Sequence, residues 1–215
     1  GDESPGCAAA LNNLAVLYYN SGNYKLAENN FIQAIGILKK RPDPDRVETA
    51  ICLNNLGAMY YKIGNFEIAS KTISEAREIA EKAHQQDNQV YAVMLNNLAS
   101  VTICSEYYAS SEKKNSERLT DAGKLIIKAD SVFRLNCQKP HPFDLSINYN
   151  LGIWYSINGD KKKSIQTFTG MAEDANLSLR VVAMMNKMSM SGKLPLILHI
   201  DPAPEPVIIP ISNSL

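Results

Sequence analysis

The sequence lacks a net charge: 22 Lys and Arg are matched by 22 Asp and Glu over 215 residues. A balanced surface gives neither nucleic acid nor an anionic bilayer a general electrostatic attraction, so neither is expected as a partner. Long uncharged apolar runs are also missing, which argues against membrane insertion, while an apolar share of 45% is enough for a substantial core. Cysteine is sparse and scattered. Cys7, Cys52, Cys104 and Cys137 form no CxxC pair, so neither a zinc knuckle nor a disulfide framework is suggested, and reduced thiols of an intracellular protein are expected.

Catalytic patterns are absent as well. His84, His141 and His199 have no companions at metal-ligand spacing. There is no GxGxxG, Walker loop or nucleophile elbow. The expectation is a non-enzyme with no catalytic residues, no metal and no other cofactor. Asn176-Leu177-Ser178 matches a glycosylation acceptor, a pattern that matters only in a secreted chain. The sequence opens at Gly1 rather than Met, which suggests a processed or excised piece. A cytoplasmic location is expected, with an organelle left open by that processing.

What the sequence does contain is a period. Leu11-Asn12-Asn13-Leu14-Ala15, Leu53-Asn54-Asn55-Leu56-Gly57 and Leu95-Asn96-Asn97-Leu98-Ala99 follow one another at intervals of 42 residues. A fixed long period marks a repeat array. The first unit continues with Tyr18, Ala27, Phe31 and Ala34, and the second with Tyr60, Ala69, Ile73 and Ala76, while Gly22 and Gly64 punctuate each unit. Small residues at Ala15, Gly57, Ala99 and Gly152 suit closely packed helix pairs. A fourth unit, with Asn150, Leu151, Gly152, Tyr155, Gly159, Ser164, Phe168 and Met171, lies 53 residues after the third rather than 42. The 11-residue excess also separates Leu98 from Ala122, Ile126 and Ala129, so one polar insertion near 110–118 explains both shifts.

These offsets match the tetratricopeptide pattern, Trp-x2-Leu-Gly-x2-Tyr followed by Ala-x3-Phe, with only the leading Trp replaced in the first unit. The period, the Leu-Asn-Asn-Leu-Ala/Gly phrase and His141-Pro142 ahead of repeat four resemble the tetratricopeptide repeats of kinesin light chains over about residues 8–175. The resemblance implies an all-α fold, a right-handed superhelix of about four helix pairs with first helices lining the inner face. Helix pairs are predicted at about 8–20 and 24–40, 48–62 and 66–84, 88–105 and 117–135, and 143–157 and 161–175. The repeats thus span about 8–41, 48–84, 88–135 and 143–175, and Pro42, Pro44, Pro140 and Pro142 suit helix starts.

Helical spacing also selects an inner stripe beside the packed one: Ala9, Asn13, Val16 and Asn20; Ile51, Asn55, Ala58 and Lys62; Val93, Asn97, Ser100 and Cys104; Ser146, Asn150, Ile153 and Ile157. An asparagine recurs in each. Its amide offers both donor and acceptor, so Asn13, Asn55, Asn97 and Asn150 could read the backbone of an extended peptide, and the resemblance implies that role. They could equally tie one repeat to the next. Asn12, Asn54 and Asn96 read mainly as inter-repeat packing. The candidate peptide-binding residues are these four asparagines with Val16, Tyr19, Tyr61 and Lys62. Lys62 is the only charge on the stripes, so a neutral, partly apolar groove is expected rather than a clamp for a carboxylate tail.

Beyond the repeats, Leu177, Val181, Met184, Met185 and Met188 are spaced for a capping helix over 176–191. Residues 192–215 change character, with Leu194-Pro195-Leu196-Ile197-Leu198-His199-Ile200 followed by Pro202, Pro204, Pro206 and Val207-Ile208-Ile209-Pro210-Ile211. Frequent proline excludes a helix, and so many apolar groups call for a docking surface. Docked in its own groove, this tail would be an autoinhibitory pseudo-ligand. Two functions fit: an adaptor or scaffold that binds a protein or peptide partner in its groove, or a structural subunit that docks on a larger assembly through its tail, insertion or convex face. The oligomeric state is left open.

Overall fold

A computed structural model describes residues 4–41, 47–109, 116–136 and 142–172. Among these are eight helices and no strand: α1 (Pro5–Asn20), α2 (Tyr24–Lys39), α3 (Val47–Lys62), α4 (Phe66–Lys82), α5 (Gln89–Tyr108), α6 (Ser116–Asn136), α7 (Pro142–Ile157) and α8 (Lys161–Ala172). The largest contacts join α1 to α2, α3 to α4, α5 to α6 and α7 to α8. Each second helix then packs on the next first helix, and successive first helices also touch. This connectivity makes a superhelical array of four helix pairs, with first helices on the inside.

Local chemistry explains the helix boundaries. The first helix starts earlier than the periodic pattern alone predicts, because Ser4 caps it by accepting a hydrogen bond from the Cys7 N–H at 3.2 Å and Pro5 supplies the first turn. Asn65 and Asn88 cap α4 and α5 in the same way. Between paired helices, Gly22, Gly64 and Gly159 adopt φ near +80°. The next residue's N–H then reaches back to a helix carbonyl: Asn23 to Tyr18 at 2.8 Å, Asn65 to Tyr60 at 2.9 Å and Asp160 to Tyr155 at 2.9 Å. A left-handed residue with this return bond ends a helix in one tight step.

Close approach within pairs depends on missing side chains. A Cβ on Gly57 would lie 2.4 Å from Ile73 Cγ1, and one on Gly123 would lie 2.0 Å from the Trp154 ring. Trp154 uses that space, and its indole N–H donates to the Leu119 carbonyl at 2.7 Å. One core cluster runs through the pairs and includes Phe31, Met59, Tyr91, Met94, Ile126 and Phe133, and a second groups Ile73 with Tyr61, Ala69, Leu98, Val101 and Cys104.

The insertion in repeat three lengthens α5 and α6 beyond their counterparts and widens the connection between them. Residues 110–115 lie outside the described part. The helix extensions are joined by an ion pair between the buried Glu106 and the half-exposed Arg118, which compensates a carboxylate that would be costly to bury alone. The predicted capping helix over 176–191, the tail over 192–215, Cys137, His141, His199 and Asn176 lie outside the described residues.

Candidate peptide-binding face

Each first helix divides its surface between its neighbours. On α3, Gly57 abuts Ile73 of α4, Asn54 points towards α5 and Asn55 towards α1. Asn55 Nδ2 donates to Asn12 Oδ1 at 3.1 Å, Asn97 Nδ2 donates to Asn54 Oδ1 at 3.0 Å, and Asn150 Nδ2 donates to Asn96 Oδ1 at 3.0 Å. The two asparagine positions therefore meet across every junction. Asn12 Nδ2 also donates to Asn13 Oδ1, and Asn54 Nδ2 to Asn55 Oδ1, at 3.3 and 3.4 Å. Asn55, Asn97 and Asn150 are fully buried, while Asn13 is half-buried.

The helical arc between the two asparagines forms the inner face. It holds Ile51 and Ala58 on α3, Val93, Ser100 and Cys104 on α5, and Ile153 on α7, all buried. Val16 and Tyr19 on α1 are half-buried, and Lys62 is exposed at the end of α3. Tyr61 is buried, with its hydroxyl 3.2 Å from Cys104 Sγ. Six of the eight residues singled out from sequence thus sit on or beside one neutral face in α1 and α3, and Asn97 and Asn150 continue it into α5 and α7.

Two features of this face were not anticipated. One is an aromatic edge at the C-terminal ends of the first helices. Tyr61 packs on Phe66 with centroids 5.7 Å apart, and Phe66 stacks on the exposed Tyr108 at 5.9 Å and 3°. The paired tyrosines at 107–108, just ahead of the polar insertion, were the available signal. The other lies at the α5–α7 junction, where Asn96 Nδ2 and Asn150 Oδ1 are buried without a hydrogen-bond partner among the described residues. A spare donor and a spare acceptor stand at one junction. Asn150 Nδ2 there also donates to Ser100 Oγ at 3.0 Å, a contact that uses the hydroxyl unique to repeat three at that stripe position.

Burial, with a smaller contribution from Glu48, pushes the Cys52 thiol up to about 12. Burial and its 2.6 Å hydrogen bond to Glu28 push Tyr60 up to about 12. Among the described residues no group of three or more His, Cys, Asp or Glu could hold a metal ion, and no helix is long and apolar enough to cross a membrane.

The tetratricopeptide-repeat family profile matches residues 6–82. The first two helix pairs thus match tetratricopeptide repeats. Its fold is similar to that of a Podosopora anserina protein named for kinesin light chain and built of nearly identical TPR-like repeats, with a TM-score of 0.68 at 14% identity over 87% of this chain and 86% of that one. It is also similar to BtubC (BKLC) from P. vanneervenii, with a TM-score of 0.65 at 22% identity over 85% of this chain and 66% of that one. No curated protein matches the sequence. At these identities the likeness is one of fold.

Proposed function

We propose that this tetratricopeptide array is a non-catalytic adaptor whose inner face binds an extended, largely neutral and apolar peptide. The observation that carries the reading is the α5–α7 junction. Leaving a buried polar group unpaired costs about 1–3 kcal/mol, and the N–H and C=O of an extended peptide would satisfy Asn150 Oδ1 and Asn96 Nδ2 together. Around them, Ile51, Val93 and Ile153 offer apolar contact, Ser100 a hydroxyl, and Lys62 the single charge on the stripes. Asn13, Asn55, Asn97 and Asn150 set the spacing of the face, with Val16, Tyr19 and Tyr61 along its edge. The balanced charge favours protein over nucleic acid as the partner.

Selection from a display library of random extended peptides, run on the whole chain, tests this reading. Enriched sequences should be neutral and apolar, and Val93→Ser with Ile157→Ser should weaken their capture by at least ~10-fold while helicity is kept. Undiminished capture by that variant would remove the inner face from consideration.

A second reading, a structural subunit or interaction arm of a larger assembly, is favoured by a different observation. Leu14 and Leu17 are exposed on α1 at positions whose counterparts in α3 and α5 are buried. Such an edge suits a broad contact rather than a short peptide.

A further inference from the structure

Helix α1 is uncharged along its whole length. From Pro5 to Asn20 it carries no Asp, Glu, Lys or Arg, whereas α2 carries Lys25, Glu28 and Lys39 and α3 carries Glu48 and Lys62. The end of a repeat array needs a polar outer face to stay soluble on its own. Here the outer face is apolar. Cys7, Ala10, Leu14 and Leu17 follow one another at spacings of three, four and three, which puts them in one stripe. Ala10 is exposed, and Leu14 and Leu17 are 40% and 65% exposed. One repeat further on, the counterparts of the last three, Cys52, Leu56 and Met59, are buried in a core cluster with Ile35 and Leu38 of α2. The stripe on α1 is thus a junction surface at the outer end of the described array, and no described helix precedes it.

The stripe itself sets what fits it. Its N-terminal half is small, Cys7 and Ala10, and its C-terminal half is large, Leu14 and Leu17. A twofold axis that runs α1 antiparallel to the α1 of another copy sets Leu17 against Cys7 and Leu14 against Ala10, each twice. Every layer then holds one small and one large residue, so the facing helices interdigitate at close range. Parallel alignment would put leucine on leucine and leave a gap between the small residues. The spacing is also that of the a and d positions of a heptad, at which knobs of one helix enter holes of the other. Charge agrees with this occupant. A twofold contact brings identical surfaces together, and a helix with no charged residue meets its own copy without like-charge repulsion.

We propose that the outer stripe of α1 docks on the same stripe of a second copy, giving an antiparallel, twofold-symmetric dimer joined at the N-terminal ends of two arrays. The proposal takes the exposed α1 edge further and does not rest on the peptide reading of the inner face. A contact of one helix on one helix lies at the small end of specific interfaces, so the dimer should form at about 10–100 µM and dissociate well below that. Unfolding followed at roughly 1 µM therefore reads the monomer, with Leu14 exposed.

Sedimentation equilibrium of the whole chain across about 1–300 µM tests the pairing. The mass should rise from one chain towards two. Leu14→Glu with Leu17→Glu should weaken association by at least ~10-fold. Helicity and the low-concentration urea midpoint should be kept, because both side chains face solvent in the monomer. Leu14→Glu alone and Ala10→Lys alone should each weaken self-association, and a mixture of the two variants should recover it, since opposite charges then meet in the antiparallel register. Val93→Ser with Ile157→Ser should dimerise like the unaltered chain whatever it does to peptide capture, so the two proposals fail separately. A chain that stays monomeric at about 300 µM, or whose association ignores the α1 changes, overturns the proposal.

A covalent readout fixes the register. With Leu17→Cys, mild oxidation should give a dimer whose disulfide joins the new thiol to Cys7 of the second copy. Within one helix these two positions are roughly 15 Å apart, too far for a disulfide, so that bond forms only between copies. Adding Cys7→Ser to the same variant should abolish it. Dimers linked through two new thiols, or through Cys52 or Cys104, would overturn the antiparallel pairing. In a chain that stays monomeric, slow alkylation of Cys7 would mean that its own residues outside the described helices cover the stripe, and fast alkylation would leave the stripe to a partner of another sequence. Either result overturns the pairing of two copies.

Discussion

The helices α1, α3 and α5 carry nearly the same phrase and have different surroundings. Leu14 and Leu17 on α1 are 40% and 65% exposed, while their counterparts Leu56 and Met59 on α3 are 6% and 1% exposed. Leu98 and Val101 on α5 are buried like those of α3. Burial here is therefore a property of position in the array. A leucine in this phrase becomes core only when a preceding helix pair lies against it, which is the nearest-neighbour logic of repeat proteins. Stability should follow the neighbours in the same way.

The largest expected effect is at those leucines. Leu56→Ala should destabilise the chain by about 2–5 kcal/mol, because it opens a cavity in a packed junction. Leu14→Ala, the same change in the same phrase, should cost less than about 1 kcal/mol. Urea midpoints for the two variants compare them directly, and equal losses would mean that α1 is covered as fully as α3. Next in size is Gly57→Ala, which places the residue of repeat one, Ala15, into repeat two. The added Cβ meets Ile73 at 2.4 Å and the Ala69 carbonyl at 3.2 Å, so overpacking of about 1–3 kcal/mol is expected. A neutral result would show that α4 moves aside as freely as α2 must do around Ala15.

The amide ties should come below these. Asn54→Ala removes the acceptor of the buried Asn97 Nδ2 and should cost about 1–3 kcal/mol. A double-mutant cycle with Asn97→Ala should show coupling of about 1 kcal/mol. Asn13→Ala, at the half-buried start of the ladder, should cost less than either single change. Absence of coupling would mean that the two amides act independently despite their 3.0 Å separation.

Much of the fold was legible because it is written periodically. The offsets among Leu53, Gly57, Ala69 and Ile73 fix which faces meet, and Gly22, Gly64 and Gly159 fix where the chain turns. The 11-residue surplus in repeat three was legible too, since it shifted Ala122 and Ile126 together. The inner face was located from the same spacing, but its chemistry was only half visible. An amide can serve a neighbouring helix or a ligand, and the angular position of Asn55 is compatible with both until the Asn12 acceptor is in view. Nothing in the sequence marked Glu106, because its partner Arg118 lies across a connection whose path no pattern specifies.

The smallest expected effect concerns pH. Cys52 occupies the position that is the exposed Ala10 in repeat one. Burial raises its thiol from 9.0 to about 12, so the folded chain holds that proton more tightly than the unfolded chain does. The resulting stabilisation is complete below pH 9 and is lost as pH climbs from 9 towards 12, with a limiting slope of about 1.4 kcal/mol per pH unit for one proton. Tyr60, also raised, adds a loss of the same sign above its ordinary value of 10. Cys52→Ala makes repeat two match repeat one and removes the thiol's share. Between about pH 8 and about pH 10.5 its urea midpoint should therefore fall less than that of the unaltered chain. Parallel declines would show that the thiol ionises as easily in the folded chain as in the unfolded one, and that α3 is no drier at this position than α1.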